Sequence, residues 1–261
     1  MAVVALLTDF GTDDHYVATM KGAILRANPK ATLVDISHRV PPQDVFRAAF
    51  ILRQVLPFFP AETIFVAVVD PTVGTERRIL AGRYSDRIVI APDNGLLTLV
   101  HRDADLQEVR VVENRRLFAS QLSTTFHGRD IFAPVAGHLS TGMDLHHVGP
   151  IADRIEVLEL PRPIQHPDGT IEGQVSYIDH FGNLITNISA VSLSAERTKG
   201  RSLTVYLKDQ LIGPIRITYA DVPPGQPVAL VGSTQMVEIA INHGSAAQAF
   251  AAQRGDAVFF R

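Results

Sequence analysis

The chain has 261 residues, a formal net charge of −3 and a sequence pI near 6.4, so it lacks the basic field that attracts nucleic acid or an anionic membrane. It contains no cysteine, which excludes disulfides, thiolate metal sites and cysteine nucleophiles. No apolar run approaches the roughly 18 residues of a membrane-spanning helix. We therefore expect a soluble, cytoplasmic protein, and its length favours two domains.

The first part of the chain alternates apolar strands with amphipathic helices. The strands predicted here cover residues 2–7, 32–36, 64–69, 79–84, 87–91 and 109–112. Helices are predicted to begin near Asp13, after the proline pair at 41–42 and after the polar turn at 124–130. Strand–helix alternation favours parallel pairing with helices packed on the sheet. We predict a Rossmann-like α/β domain over residues 1–160, with a mostly parallel sheet and helices on both faces.

A change of pattern follows. Prolines at 161, 163 and 167 mark residues 161–170 as a predicted linker. Beyond it the predicted strands are short and closely spaced, covering 171–178, 184–188, 203–207, 215–219, 228–231, 236–241 and 257–260. Short strands at close spacing are typical of a small barrel or sandwich. We predict an all-β, barrel-like domain over residues 171–261.

Carboxylates follow two of the predicted strands. Asp9 comes after the first strand and Asp70 after the third, where open α/β sheets bind their ligands. Arg77 and Arg78 lie close enough along the next turn for one of them to pair with Asp70. His127 lies in a third polar turn. An aspartate, an arginine and a histidine can together orient and deprotonate a water molecule, with the histidine or the aspartate accepting the proton.

Several short motifs occur in one order along the chain. They cover residues 7–14, 16–17, 20–22, 69–71, 73–75, 91–95, 126–130, 181–183 and 232–233. Together they resemble the S-adenosyl-L-methionine hydrolases, also called hydroxide adenosyltransferases, which are relatives of fluorinase and chlorinase. The resemblance extends over nearly the whole chain. It implies hydrolysis of S-adenosyl-L-methionine to adenosine and L-methionine, by attack of an activated water or hydroxide on the ribose 5′ carbon. It implies no metal and no cofactor.

The resemblance also implies a role for individual residues. The family's water-activating set falls on Asp70, Arg77 and His127, with Arg78 as the alternative for the arginine. Asp9 is expected to accept both ribose hydroxyls, because a carboxylate offers two acceptor oxygens. The family forms homotrimers, with the site between neighbouring subunits.

The remaining implied contacts come mostly from the second predicted domain. Asn183 is expected to bind the adenine beside the ring of Phe181, Asp179 the methionine ammonium, and Ser233 the amino-acid end. Further expected substrate neighbours are Asp14, Phe126, Glu238 and Asn242. Thr234 stands where the halogenases have an arginine for the substrate carboxylate, so the sequence leaves open how that carboxylate is held.

Departures from the halogenases favour water over halide. The halogenases carry a tyrosine in place of Asp70, and the fluorinases a serine in place of Gly128. Two other functions stay open. One is a non-catalytic adenosine or S-adenosylmethionine sensor. The other is a calcium-dependent nucleoside hydrolase, suggested by Asp9, Asp13 and Asp14, although the leading aspartate of that cluster falls at Leu7 here and hard cations need several oxygen ligands.

Overall fold

The computed structural model describes residues 2–197 and 203–261. The chain divides into two compact units, Met1–Leu158 and Glu159–Arg261, and each is described here by itself. Within the described residues, no helix is long and apolar enough to cross a membrane.

The first unit combines one sheet with flanking helices. Its strands are β1 (Val3–Thr8), β2 (Thr32–Ser37), β3 (Ile64–Val68), β4 (Ile79–Tyr84), β5 (Arg87–Pro92) and β6 (Leu106–Val111). Its α-helices are α1 (Tyr16–Ala27), α2 (Val45–Val55), α3 (Thr98–Asp103) and α4 (Ala133–Leu139). Short 3-10 turns cover Leu56–Phe58, Arg115–Leu117 and Leu145–Val148, and a π-helical turn covers Gly128–Phe132.

The sheet of the first unit is mixed. Its strand order is β2-β1-β3-β5-β4-β6, with β2, β1, β3 and β5 parallel and β4 antiparallel to both β5 and β6. The antiparallel edge begins at the hairpin between β4 and β5. Ser85 and Asp86 connect these strands in two residues, both at positive φ (45° and 63°). Such a two-residue connection reverses the chain at once, so β4 and β5 pair antiparallel.

Helices cover both faces of this sheet. Val4 and Leu6 of β1 belong to one apolar cluster, which includes residues of α1 and α4. Ala5 and Leu7 point the other way, into a second cluster that includes residues of α2 and α3. Successive side chains of a strand alternate between faces, so an unbroken apolar run needs cover on both sides. This explains why β1 and β3 have hardly any polar residues.

The start of α1 differs from the prediction. The helix begins at Tyr16 rather than near Asp13, which leaves Asp13 and Asp14 exposed in the preceding turn. In that turn Gly11 has a non-helical φ of +70°. Its backbone N–H donates to the carbonyl of His38 at 2.8 Å, which keeps the turn in this conformation. Glycine adopts such a conformation without the steric cost that other residues meet.

The second unit contains a closed barrel. Its strands are β7 (Ile164–Gln165), β8 (Ile171–Ile178), β9 (Leu184–Ser189), β10 (Thr204–Leu207), β11 (Gln210–Arg216), β12 (Pro227–Val231), β13 (Met236–Ile241) and β14 (Ala257–Phe260). Its helices are α5 (Ala190–Arg197) and α6 (Ala246–Ala249). The order β14-β10-β11-β12-β13-β9-β8 closes because β14 also pairs with β8, which confirms the barrel prediction. The segment expected as linker contains β7, which pairs with β8.

One predicted strand of the second unit is wrong. We expected a strand at 215–219, but β11 ends at Arg216 and a 3-10 turn covers Tyr219–Asp221. The carboxylate of Asp221 accepts hydrogen bonds from the backbone N–H groups of Ile217 (2.9 Å) and Thr218 (3.2 Å). This capping box satisfies the donors locally, so the alternating sequence does not extend the strand.

Gly149 is the position in the first unit where a side chain has least room. Its φ is +152° and its ψ −167°, and a Cβ built there would lie 2.1 Å from the carbonyl oxygen of Val111. That oxygen belongs to the backbone of β6 and has little freedom to move. A side chain at this position must therefore displace the strand or the turn that ends at Val148.

We predict that Gly149→Ala lowers the free energy of unfolding by about 3 kcal/mol, because backbone strain of this kind costs about 1–3 kcal/mol before the clash is added. Gly142→Ala is the matched control, since Gly142 also has positive φ (+91°) but no atom within 4 Å of a built Cβ. Urea denaturation followed by circular dichroism measures both variants. Equal losses in the two would contradict a clash at Gly149.

Candidate active site

The carboxyl ends of β1 and β3 open onto a cleft in the first unit. The two strands are parallel neighbours, with Thr8 opposite Val68, so Asp9 and Asp70 leave the same edge of the sheet. The cleft has a volume of about 490 Å³. The residues that line it are Asp9, Phe10, Tyr16, Pro42, Gln43, Val68, Asp70, Pro71, Val73, Thr125, Phe126, His127 and Gly128.

Arg77 connects the two polar groups expected to act on water. Its Nε donates to Asp70 Oδ2 at 2.8 Å, and its Nη2 donates to the same oxygen. The same Nη2 lies 3.0 Å from Nδ1 of His127. Only 8% of the Arg77 side chain and 5% of the Asp70 side chain are exposed. The structure thus brings the predicted Asp70, Arg77 and His127 into one hydrogen-bonded set, in which the Asp70 and Arg77 side chains are buried and His127 is half-buried.

Gly74 allows the turn that carries Asp70 and Arg77 to approach the segment that carries His127. Its φ is +83°, and a Cβ built on it would lie 2.7 Å from the carbonyl oxygen of Thr124. A larger residue would separate the two segments. The glycine that the sequence places four residues after Asp70 is therefore required by a close backbone approach as well as by the turn.

The contact with Arg77 determines the proton position on His127. An arginine N–H can only donate, so Nδ1 must accept, and the neutral ring carries its proton on Nε2. Burial lowers the pKa of His127, and the charge of Arg77 lowers it further, while Asp70 and Asp130 oppose the shift. His127 is accordingly neutral at pH 7.

Arg78, the alternative left open by the sequence, has different partners. Its Nε and Nη2 donate to Asp93 Oδ2 at 2.9 and 2.7 Å, and its Nη1 donates to Asp153 at 2.8 Å. These bonds raise the pKa of Arg78, with the Asp93 hydrogen bond as the largest cause. Arg77 and not Arg78 contacts Asp70.

Asp9 presents a carboxylate to the same cleft. One of its oxygens accepts the backbone N–H of Gln43 at 2.8 Å. Burial raises the pKa of Asp9, the Gln43 hydrogen bond opposes this, and the charge of Asp70 adds to the rise. The negative charge of Asp70 therefore acts on Asp9, whereas the charge of Asp70 itself is balanced by Arg77.

Three aromatic rings also line the cleft, those of Phe10, Tyr16 and Phe126. Phe126, a predicted substrate neighbour, packs edge-to-face against both Phe10 and Tyr16. The sequence analysis gave neither Phe10 nor Tyr16 a function, although both lie in the motifs that carry the family resemblance. Those motifs, and the position of Phe10 directly after Asp9, were the available signals. Asp14, in contrast, is exposed and is not among the residues that line the cleft.

The second unit arranges Asp179 and Asn183 in a tight loop. Asp179 Oδ1 accepts the backbone N–H groups of Phe181 and Asn183, both at 2.9 Å. Asp179 Oδ2 accepts the side-chain amide of Asn183 at 2.9 Å. Gly182 completes the loop at φ +84°, where a Cβ would lie 2.0 Å from Oγ of Ser245. The ring of Phe181 is 73% exposed.

Glu238 is a buried acid near this loop. It accepts the hydroxyl of Tyr219 at 2.5 Å, a partner that the sequence interpretation missed. Burial raises the pKa of Glu238; the Tyr219 hydrogen bond opposes this and the charge of Asp179 adds to it. Its Oε2 would lie 2.5 Å from a Cβ on Gly232, which places the Ser233 turn beside it. Asp179, Glu238 and Ser233 therefore belong to one region.

Asn242 and Thr234 are the other two residues of the second unit that the sequence analysis named. Asn242 is buried, with its side-chain amide donating to the carbonyl of Val222 at 2.7 Å and its backbone N–H to the carbonyl of Gln226 at 3.0 Å. These bonds give Asn242 a structural function in its loop. Oγ1 of Thr234 is buried and lacks a hydrogen-bond partner among the described residues.

In the described part of the chain, no group of three histidine, aspartate or glutamate side chains is placed to hold a metal ion. Asp13 and Asp14, which suggested calcium in the sequence, are exposed in the turn before α1. The side chains available for chemistry in the cleft are thus two carboxylates and a neutral imidazole, with Arg77 between Asp70 and His127.

The first unit is thus an α/β domain with a hydrogen-bonded Asp–Arg–His set at its cleft, and the second unit is a β-barrel. Comparison with known proteins identifies the class further. Residues 4–149 match the model of the SAM hydroxide adenosyltransferase N-terminal domain, and residues 173–259 match that of the C-terminal domain. The chain belongs to the SAM hydroxide adenosyltransferase family.

Individual relatives cover nearly the full length. The (R)-S-adenosyl-L-methionine hydrolase of Salinispora tropica is 38% identical over 258 residues, covering 97% of this chain and 95% of the relative. The protein of the same name from Thermus thermophilus is 38% identical over 266 residues, covering 98% of both chains. The crystal structure of an uncharacterized conserved protein from Thermotoga maritima superposes with a TM-score of 0.91 at 36% identity, covering 98% of this chain and 99% of that one.

We predict that Arg77→Met raises the pKa of His127 toward its ordinary value, because the variant removes a positive charge that lowers it and leaves the Asp70 carboxylate unpaired beside the ring. Long-range ¹H–¹⁵N NMR of the histidine ring over a pH titration measures the pKa. Arg78→Met is the matched control, since Arg78 pairs with Asp93 and Asp153. An unchanged or lower pKa of His127 in Arg77→Met would contradict the assignment.

Proposed function

We propose that this protein hydrolyses S-adenosyl-L-methionine to adenosine and L-methionine. The observation that carries the proposal is the hydrogen-bonded set of Asp70, Arg77 and His127 at the edge of a cleft that also contains Asp9. Membership of the SAM hydroxide adenosyltransferase family supports it, as do the names of relatives that share more than a third of their residues with this chain. Those names specify the (R) configuration, and we propose that this chain prefers the (R) epimer at sulfur.

The chemistry suits a site without a metal. The substrate is a sulfonium cation and its leaving group is a neutral thioether, so a hydroxide-like nucleophile and the cation cancel charge as the carbon–oxygen bond forms and the carbon–sulfur bond breaks. A dry site strengthens that attraction and aligns the attack. Water supplies the 5′ hydroxyl of adenosine, and the released proton goes to a base.

The hydrogen-bond geometry favours Asp70 as that base. Nδ1 of His127 faces Arg77, and Nε2 of the neutral ring is protonated, so His127 donates a hydrogen bond to the water rather than accepting its proton. Asp70 Oδ2 is occupied by Arg77. Its Oδ1 has only a longer bond, 3.2 Å from the hydroxyl of Thr72, and is the oxygen that we propose takes the proton.

The other residues position the substrate. Asp9 accepts the ribose hydroxyls, Asn183 reads the adenine beside Phe181, and Asp179 with Ser233 holds the amino-acid end. Phe126 contacts the substrate from the first unit, and Asp14, Glu238 and Asn242 are further neighbours of the site. These roles rest on the resemblance to the family, with Asp9 and Phe126 additionally supported by their place in the cleft wall.

We also propose a cytoplasmic homotrimer, with the site between neighbouring subunits. The family resemblance supports the assembly and the absence of cysteine is consistent with a reducing compartment. Sedimentation equilibrium tests the trimer, because the single chain has a mass of 28.5 kDa. A mass equal to one chain at micromolar concentration would contradict it.

Product analysis tests the reaction itself. Purified protein is incubated in H₂¹⁸O with each sulfur epimer of S-adenosylmethionine, with and without EDTA, and products are measured by liquid chromatography and mass spectrometry. We expect adenosine and methionine in equal yield, faster from the (R) epimer, unaffected by EDTA and with ¹⁸O in the adenosine. Adenine and S-ribosylmethionine, formed only without EDTA, would support the calcium-dependent nucleoside hydrolase instead. Binding without products would support a sensor.

We predict that Asp70→Asn lowers kcat by about 10²–10⁴-fold, the range expected for loss of a general base, while adenosine still binds. Asp153→Asn is the matched control, because it makes the same change in an exposed carboxylate that pairs with Arg78.

Asp9→Ala should instead weaken adenosine binding about tenfold or more, since hydrogen bonds to a charged group contribute about 1.5–3 kcal/mol. Steady-state kinetics and calorimetry separate the two effects. Unchanged kcat in Asp70→Asn would remove Asp70 from the mechanism.

A further inference from the structure

Three aromatic rings meet in the wall of the cleft beside Asp9. The ring centroids of Phe10 and Phe126 are 5.8 Å apart with planes at 74°, and those of Tyr16 and Phe126 are 5.1 Å apart at 89°. Phe10 and Tyr16 are 5.9 Å apart at 54°. Rings at such angles present faces in different directions, so a small group in the cleft can meet more than one π-face.

The charges of the cleft are suited to a cation. Asp9 and Asp70 line it, and no lysine or arginine is among the described residues of its wall. The guanidinium of Arg77 is already bound to Asp70. Aromatic faces attract cations through the quadrupole of the ring, and this attraction increases when water is excluded.

The three rings are not equally available. The guanidinium carbon of Arg129 lies 5.1 Å from the ring centroid of Phe126, so one face of that ring already meets a cation. His15 stacks on one face of Tyr16, with ring centroids 4.6 Å apart and planes at 29°. Tyr16 is 39% exposed, the largest exposed fraction among Phe10, Tyr16 and Phe126. Phe10 and Tyr16 are therefore the rings to test.

We infer that Phe10 and Tyr16, backed by Phe126, bind the positively charged sulfonium group of the substrate through their π-faces. The inference rests on the proposed function and names the element of the site that distinguishes the charged substrate from neutral thioethers. The reaction converts the sulfonium into a neutral thioether, so the same rings lose their attraction for the products.

This role affects binding more than catalysis. The rings stabilise the full positive charge of the bound substrate, and that charge is already partly cancelled in the transition state. Removing a ring therefore weakens substrate binding, whereas kcat falls little or even rises. A ring that merely supported the fold of the cleft would weaken all ligands alike.

The experiment measures the affinities of S-adenosylmethionine and its neutral counterpart S-adenosylhomocysteine by isothermal titration calorimetry. It uses wild-type protein and Asp70→Asn, with Phe10→Leu and Tyr16→Leu introduced into each. Leucine keeps apolar volume but has no π-face. We expect each leucine variant to raise the Kd of S-adenosylmethionine about tenfold, within the range of a partly desolvated cation–π contact, and that of S-adenosylhomocysteine less than about threefold.

Two further variants serve as controls. Tyr16→Phe keeps the ring and should retain the wild-type preference, which separates the π-face from the hydroxyl. Phe58→Leu removes an aromatic ring that is 86% exposed and outside the cleft wall, and should change neither affinity. Steady-state kinetics of Tyr16→Leu should show a raised KM with kcat within about threefold of wild type.

The outcomes separate this inference from the proposed function. Equal loss of affinity for the charged and the neutral ligand in both leucine variants overturns the inference, even if the protein hydrolyses S-adenosylmethionine. A protein that does not hydrolyse S-adenosylmethionine but binds it selectively, and loses that selectivity in the leucine variants, overturns the function and supports the inference. A protein that binds neither ligand overturns both.

Discussion

The hydrogen bonds of Arg77 to Asp70 and His127 are the constraint on which the cleft depends. A buried guanidinium is stable only with its charge balanced, and removing one partner of such a pair leaves an uncompensated charge. Asp70, shortly after β3, balances the charge of Arg77, and Nδ1 of His127 accepts a further N–H of Arg77 from the turn before Gly128–Phe132. The same contact that stabilises the buried charge also determines the imidazole tautomer, so folding and the protonation state of the site are coupled.

The two aspartates at the sheet edge have different environments because their neighbours differ. Asp70 faces an arginine, while Asp9 faces a backbone N–H and the charge of Asp70. One carboxylate is thereby held by a fixed partner, and the other retains acceptor capacity for hydroxyl groups. Phe10, Tyr16 and Phe126 contribute aromatic rings to the cleft wall, and no lysine or arginine is among its described residues. This combination favours a positively charged ligand.

Much of the first unit and of the barrel could be predicted from periodicity. Buried parallel strands have apolar residues on both faces, so β1 and β3 could be predicted from their apolar runs. The same runs show that Asp9 and Asp70 follow the ends of these strands. Prediction failed where a local interaction competes with the pattern. The Asp221 capping box ends an alternating segment that looks like a strand, and the turn at Gly11 delays the start of α1. Tyr16 has helical spacing in an apolar series, yet it lines the cleft.

The sequence by itself determined which residue types are available for chemistry, the absence of thiols, and the location of the carboxylates at strand ends. It could not determine whether Arg77 or Arg78 meets Asp70. The two arginines are adjacent in the segment before β4, so the choice depends on the partners that each side chain meets. Arg77 contacts Asp70 and His127, and Arg78 contacts Asp93 and Asp153. Only tertiary structure brings those partners together, because charge pairing acts through space and not along the chain.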